Sequence, residues 1–193
     1  MYEALLGGGV GGLVASALAH VVTTLFDGAC KSGSWLQGRY GPPFFNISLF
    51  MGIMYGGIAF GLSKRRSDVA VGALGPFLGI ALPLAALERM GIFDWYHLVI
   101  GIFVAATWGT IIALGWRLGR GWRGALGAII GAFAGYLILT GIGAASPRLM
   151  AWPIPLYRYL PTPAVLLDGL LTGAGIGAGV FILRGKNGKR AGA

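Results

Sequence analysis

Apolar positions run through this chain in six blocks separated by short polar turns, near residues 4–25, 43–62, 69–88, 95–116, 123–143 and 163–183. A helix needs about 20 predominantly apolar residues to cross a bilayer, and each block meets that length. The pattern predicts an all-α polytopic membrane protein: six transmembrane helices forming a single transmembrane domain over 1–193. The blocks consume nearly the whole chain, so no soluble domain is expected. The first block ends in "HVVTTLFDGACKSG" with no Lys or Arg ahead of it, so it reads as a retained helix and not as a cleaved signal peptide.

Composition agrees. With 56% hydrophobic residues, 11% charged residues and a mean hydropathy of +0.76, the chain has too little charge to cover a soluble globule. The net charge of +9 sits in the turns, where topology and anionic headgroups account for it, so the lipid bilayer is the expected partner and nucleic acid is not. Cys30 is the single cysteine, which excludes an intrachain disulfide and argues against a thiolate metal cluster.

Taken alternately, the turns divide the basic residues unequally. One side carries Lys64, Arg65, Arg66, Arg117, Arg120, Arg123, Arg184, Lys186, Lys189 and Arg190; the other carries Lys31, Arg39, Arg89, Arg148 and Arg158. Cytoplasmic turns collect Lys and Arg, so both termini are expected in the cytoplasm. A bacterial or archaeal cytoplasmic (inner) membrane is the expected setting. On the less basic side, Trp35, Tyr40, Trp95 and Tyr96 suit an aromatic belt. The stretch 144–162, with four prolines plus Trp152, Tyr157 and Tyr159, suits a segment lying at headgroup level.

Glycine is the next pattern. Lipid supplies little hydrophobic drive between helices, so close packing comes from small residues at helical spacing. The packing positions expected on this ground are Gly8, Gly12 and Ser16 in the first block, Gly52 and Gly56 in the second, and Gly75 and Gly79 in the third. The fourth offers Ala105, Gly109 and Ala113, the fifth Gly127, Gly131 and Gly135, and the sixth Gly169, Gly173 and Gly177. "GALGPFLG" (72–79) returns as "GALGAIIG" (124–131), each copy behind a basic turn, which hints at a repeated two-helix unit. Pro76 and Pro83 inside the third block predict a kink.

Few polar residues lie at membrane depth. Counting 1.5 Å per residue from each block's midpoint puts His20 and Asp168 at the same depth, roughly 8 Å from the midplane on the less basic side, with Asn46 slightly further out. Such residues are costly in lipid and usually face a partner or a water-filled cavity. His20, Asn46, Asp168 and Thr172, with Thr23 near them, are therefore the candidates for binding a solute or passing a proton. Acids favour the same side, with Asp27, Glu88, Asp94 and Asp168 there against Glu3 and Asp68 opposite; any solute moved would then be a cation.

No H-E-x-x-H, G-x-S-x-G or C-x-x-C motif occurs, and "GGGVGG" (7–12) lacks the Lys-Ser/Thr of a phosphate loop. An enzyme is therefore not the expected reading; no metal site is expected and no cofactor is called for. Three readings stand. The chain is a small membrane transporter or channel with a polar pocket open to the outer side; or it is a non-catalytic accessory or structural subunit of a larger membrane complex; or it is a haem b protein ligated by His20 and His97, its two histidines. Under the first two, it is expected to form a homo-oligomer or to join other membrane subunits.

Overall fold

The computed structural model describes residues 1–30, 41–90, 96–147 and 161–184. They form six long helices: α1 (Tyr2–Cys30), α2 (Gly41–Ser63), α3 (Arg66–Arg89), α4 (Tyr96–Gly119), α5 (Trp122–Ala145) and α6 (Pro163–Arg184). All six are long and apolar enough to cross a membrane, and the chain is an integral membrane protein with an all-α, six-span fold.

Each helix packs antiparallel against the next, and α6 returns to pack against α1, which closes a ring. Across the middle of the ring α2, α4 and α6 meet one another. Met54, Tyr55 and Ile58 of α2, Ile111 and Leu114 of α4, and Ile176 and Val180 of α6 fill the space between them, together with Ala128 and Ala132 of α5. Ile80 and Leu84 of α3 are buried as well, but many of the large side chains point outward. Val10, Val14 and Leu18, then Leu74, Leu78 and Leu82, then Ile130, Phe133 and Leu137 form exposed stripes at helical spacing. A soluble bundle would hide such stripes; lipid solvates them, and small residues are left to face small residues.

The seams are built on those small residues. A β-carbon added at Gly8 or Gly12 of α1 would fall on the carbonyl of Gly173 or Gly169 of α6, and one at Gly177 would fall on that of Ala4. The α5–α6 seam repeats the device, with Gly127 against Gly179, Gly131 against Gly175, and a β-carbon added at Gly135 falling 2.5 Å from the Leu171 carbonyl oxygen. On α3, Gly75 faces Thr110 and Gly79 faces Ala106 of α4. The fourth helix departs from expectation. Ala105 and Gly109 are exposed, and a β-carbon at Gly109 would meet nothing within 4 Å. The packing stripe of α4 is Ala106, Thr110 and Gly115 instead, one or two residues further on.

The two copies of the glycine series do the same work. Gly72 and Gly124 face the preceding helix, while the pairs Gly75 and Gly79, and Gly127 and Gly131, face the following one. The hairpin α1–α2 supplies a third copy that the sequence pattern did not expose: Ala4 meets α6, and Gly7 and Gly11 meet Gly61 and Gly57 of α2. The fold is therefore three αα-hairpins locked by the same 3-then-4 spacing. Two of them enter through matching tight turns, in which Lys64 and Arg120 each take a positive φ, 56° and 57°, just past a helix end.

Both turns lie at one end of the bundle, with the C-terminal end of α6. Lys64, Arg65, Arg66, Arg120, Arg123 and Arg184 are exposed there, and this end is called the basic face below. Pro76 and Pro83 lie within one continuous helix, α3.

Candidate functional site

The polar groups collect on α1, α2 and α6, from the face opposite the basic one to the middle of the bundle. Ser16 is fully buried against Gly169 of α6, whose missing side chain makes room for the hydroxyl. His20 follows one turn later on the same helix. Its backbone carbonyl accepts hydrogen bonds from Thr24 Oγ1 at 2.7 Å and Thr23 Oγ1 at 3.2 Å, and Thr23 Oγ1 also donates to the Ala19 carbonyl at 2.8 Å. Three side-chain atoms in this region are buried with no hydrogen-bond partner: Ser16 Oγ, His20 Nε2 and Asn46 Oδ1. Buried polar atoms are nearly always paired, and an unpaired one costs about 1–3 kcal/mol, so three together call for water, an ion or a solute.

Asn46 lies in the second turn of α2, beside an aromatic cluster. Phe45 stacks on Phe26 of α1 with ring centroids 5.0 Å apart, and meets Phe77 of α3 edge-on at 5.3 Å. The three rings tie the far ends of α1 and α2 to the middle of α3. Ser48, also fully buried, satisfies itself by donating to the Phe45 carbonyl at 2.8 Å.

Asp168 and Thr172 lie one turn apart on α6, with Thr172 Oγ1 donating to Asp168 Oδ1 at 3.2 Å. Thr172 is 8% exposed and the facing Tyr55 of α2 only 3%; Tyr55 lies within electrostatic reach of the Asp168 carboxylate. The expected depth match between His20 and Asp168 does not hold. The register of α1 on α6 pairs Gly8 with Gly173 and Gly12 with Gly169, which sets Asp168 level with Leu13, roughly 10 Å nearer the basic face than His20. Glycine contacts set that register, and they offset the two helices instead of aligning their midpoints. Among the described residues no hydrogen bond or ion pair joins His20 to Asp168.

From the far face inward, the polar positions therefore run as a ladder. Asn46 stands level with Val22, by the pairing of Gly7 with Gly61 and Gly11 with Gly57; His20 and Ser16 follow, then Asp168, then Thr172. Beside the lower rungs the apolar cluster of Met54, Ile58, Leu114 and Ile176 fills the middle of the ring.

The sequence reading singled out neither Tyr55 nor an ion pair at the basic face. Arg117 Nε donates to Asp68 Oδ1 at 2.6 Å, and its Nη2 donates to Ser67 Oγ at 2.8 Å. Asp68 is 4% exposed. The pair ties the start of α3 to the end of α4. Its signal in the sequence was an acid set in the basic run "SKRRSD".

Several expectations fall outside the described residues: the belt residues Trp35, Tyr40, Trp95, Trp152, Tyr157 and Tyr159, and the basic residues Lys31, Arg39, Arg148, Arg158, Lys186, Lys189 and Arg190. The side chains of Asp27, Cys30, Glu88, Tyr96 and His97 are outside them too, so a His20–His97 haem site gains no geometric observation. Among the described residues no group of three His, Cys, Asp or Glu side chains is placed to hold a metal ion. Compared with known proteins, the chain matches no family model, no curated protein and no solved structure.

Proposed function

We propose that the protein is a small membrane transporter or channel whose binding site is the polar ladder of α1, α2 and α6. The observation that carries this reading is the trio of buried, unpartnered atoms Ser16 Oγ, His20 Nε2 and Asn46 Oδ1. A bundle selected only for packing would fill those positions with alanine or leucine, as it does in the apolar cluster. His20, Asn46, Asp168 and Thr172 bind the solute or proton. The apolar cluster is the barrier that parts during transport, in a single transmembrane domain over 1–193. The basic face is cytoplasmic by the positive-inside rule, which puts both termini in the cytoplasm of a bacterial or archaeal cell and opens the ladder outward.

The test uses cysteine accessibility. In a Cys30→Ser background, Ser16→Cys and His20→Cys are expected to react with a membrane-impermeant thiol reagent added from outside intact cells, and Ile58→Cys is not. Resistance of both ladder positions would make the trio a dry packing seam and end this reading.

A specific observation also favours assembly. Two apolar grooves open on the lipid-facing surface. One of about 510 Å³ lies between α5 and α6, lined by Ile130, Ala134, Ile138, Ala178 and Ile182. The other, of about 640 Å³, lies along α1, α2 and α3, lined by Val10, Val14, Leu18, Ile53 and Phe60. As a second reading, these grooves seat a different membrane subunit, and the protein serves as an accessory subunit of a larger complex. Native mass spectrometry from mild detergent separates the two. A stable mass that includes other polypeptides supports the subunit reading, and a monomer or homo-oligomer of this chain supports transport.

A further inference from the structure

We infer that the ladder selects a small cation carrying N–H donors, of the chemical class represented by ammonium and methylammonium; this rests on the transport reading above and names its solute. Three features of the site carry it.

The first is the kind of atom left without a partner. Ser16 Oγ, His20 Nε2 and Asn46 Oδ1 are all buried without a partner. The Asn46 oxygen can only accept, His20 Nε2 accepts in the tautomer that carries its proton on Nδ1, and the Ser16 hydroxyl accepts as well as donates, so a guest that donates hydrogen bonds satisfies all three. An anion brings only acceptors. A bare alkali ion prefers several oxygen ligands and gains little from an imidazole nitrogen.

The second is charge. The described lysines and arginines stand at the two faces: Lys64, Arg65, Arg66, Arg117, Arg120, Arg123 and Arg184 at the basic one, and Arg89 at the other. Between the faces, the ionisable acid on the described helices is Asp168, and among the described residues no lysine or arginine lies near its level to neutralise it. In a low-dielectric surround that carboxylate favours a cation and repels an anion, at a strength water would screen away.

The third is order. The acceptors come first from the far face, and the charged group comes last, beside the apolar cluster. A donor-bearing cation would exchange its hydration for Asn46, His20 and Ser16 in turn, and reach its counter-charge at Asp168, where Thr172 already holds one carboxylate oxygen. Tyr55 is buried within electrostatic reach of the same carboxylate.

The experiment is paired flux and binding on purified protein. Uptake of radiolabelled methylammonium into proteoliposomes is measured at neutral pH, where the permeant free amine is already scarce, beside labelled urea as a neutral donor and nitrate as an anion. Equilibrium dialysis of methylammonium against detergent-solubilised protein runs in parallel. Saturable methylammonium uptake competed by ammonium is expected, with urea and nitrate at the level of empty liposomes. Asp168→Asn is expected to lower binding and uptake by about tenfold or more, and its thermal unfolding is compared with the parent protein to exclude misfolding. Asn46→Leu provides a second variant that leaves the carboxylate in place and is expected to weaken binding as well. Methylammonium binding without flux would uphold the cation site and overturn the transport reading. Flux of urea or nitrate without methylammonium binding would overturn the cation assignment and keep transport. Neither binding nor flux of any probe would overturn both, and unchanged binding in a folded Asp168→Asn protein would remove the carboxylate from the site.

Discussion

Replacing Gly131 by alanine adds one methyl group at the middle of the α5–α6 seam, and the structure gives it nowhere to go. The new carbon would fall on the carbonyl oxygen of Gly175 and lie 3.3 Å from the Gly179 nitrogen, backbone on both counts. No side chain can rotate away, so the helices must separate by something on the order of 1 Å; a gap of that size forfeits a quarter to a half of each contact's well of ~0.1–0.2 kcal/mol. If the seam holds on the order of 40 atom pairs, as a buried leucine does, the loss is about 2 kcal/mol, within the ~1–3 kcal/mol range of overpacked cores. Gly109 is the internal control. It is also a mid-helix glycine, but nothing lies within 4 Å of an added β-carbon, so alanine there is expected to stabilise by about 0.5–1 kcal/mol through the helix backbone alone. Unfolding in mixed micelles of rising SDS fraction, followed by far-UV circular dichroism, would read both. The two variants should move the midpoint in opposite directions. Equal shifts of the same sign would show that the glycines act through backbone entropy and not through contact, and would refute the packing argument.

Three further outcomes follow from the same geometry. Arg117→Met leaves the buried Asp68 carboxylate without its guanidinium; because the Arg117 side chain is 42% exposed, the expected loss is only about 1–2 kcal/mol. A double-mutant cycle with Asp68→Asn should return most of it as coupling, and additive effects would mean the pair is a surface contact. Phe45→Ala removes the ring shared by Phe26 and Phe77 and should cost about 2–4 kcal/mol in the same micelle assay, whereas Phe60→Ala, at an exposed ring, should cost under about 1 kcal/mol. Cysteines at Lys64 and Arg120 should resist an impermeant thiol reagent in intact cells and react in inside-out vesicles; labelling from outside would reverse the orientation on which the outward-opening ladder depends.

The six helices were legible because spanning length is a one-dimensional property of the chain. A block of about twenty apolar residues reads the same whatever it packs against. Which side of a block faces its neighbours was harder to read, because lipid rewards apolar side chains as the interior does. Ala105 and Gly109 of α4 met the spacing rule and face outward; Ala106 and Thr110 do the packing. Register was not legible at all. Asp168 and His20 look level when each span is centred in the bilayer, and stand two turns apart once Gly12 meets Gly169. The Asp68–Arg117 pair, 49 residues apart in sequence, was hidden for the same reason, since turns full of charge give no sign of which charges meet. His20 and Asn46 were conspicuous as rare polar residues at depth. That Ser16 is also left unpartnered depends on where it packs, and no spacing rule reports that.

The threefold repetition of the hairpin lock bears on where function resides. The lock superposes Gly7 and Gly11 of α1 on Gly75 and Gly79 of α3 and on Gly127 and Gly131 of α5. Carried along the helices by the same offsets, Ser16 corresponds to Leu84 of α3 and Tyr136 of α5. On the even helices, where Gly57 corresponds to Ala106 and Gly175, Asp168 corresponds to Phe50 and Val99. Packing asks the same of all three hairpins, and two of them meet it at these positions with apolar or aromatic side chains. A buried hydroxyl and a carboxylate occur at these positions only at the α6–α1 seam, where the third hairpin closes on the first; the Tyr136 ring is exposed. A requirement of the fold would recur in each copy, so what breaks the pattern answers to something other than folding. Removing the hydroxyl with Ser16→Ala, which adds no bulk against Gly169, is therefore expected to weaken methylammonium binding, and Leu84→Ser to leave it unchanged. The reverse result would return the asymmetry to packing.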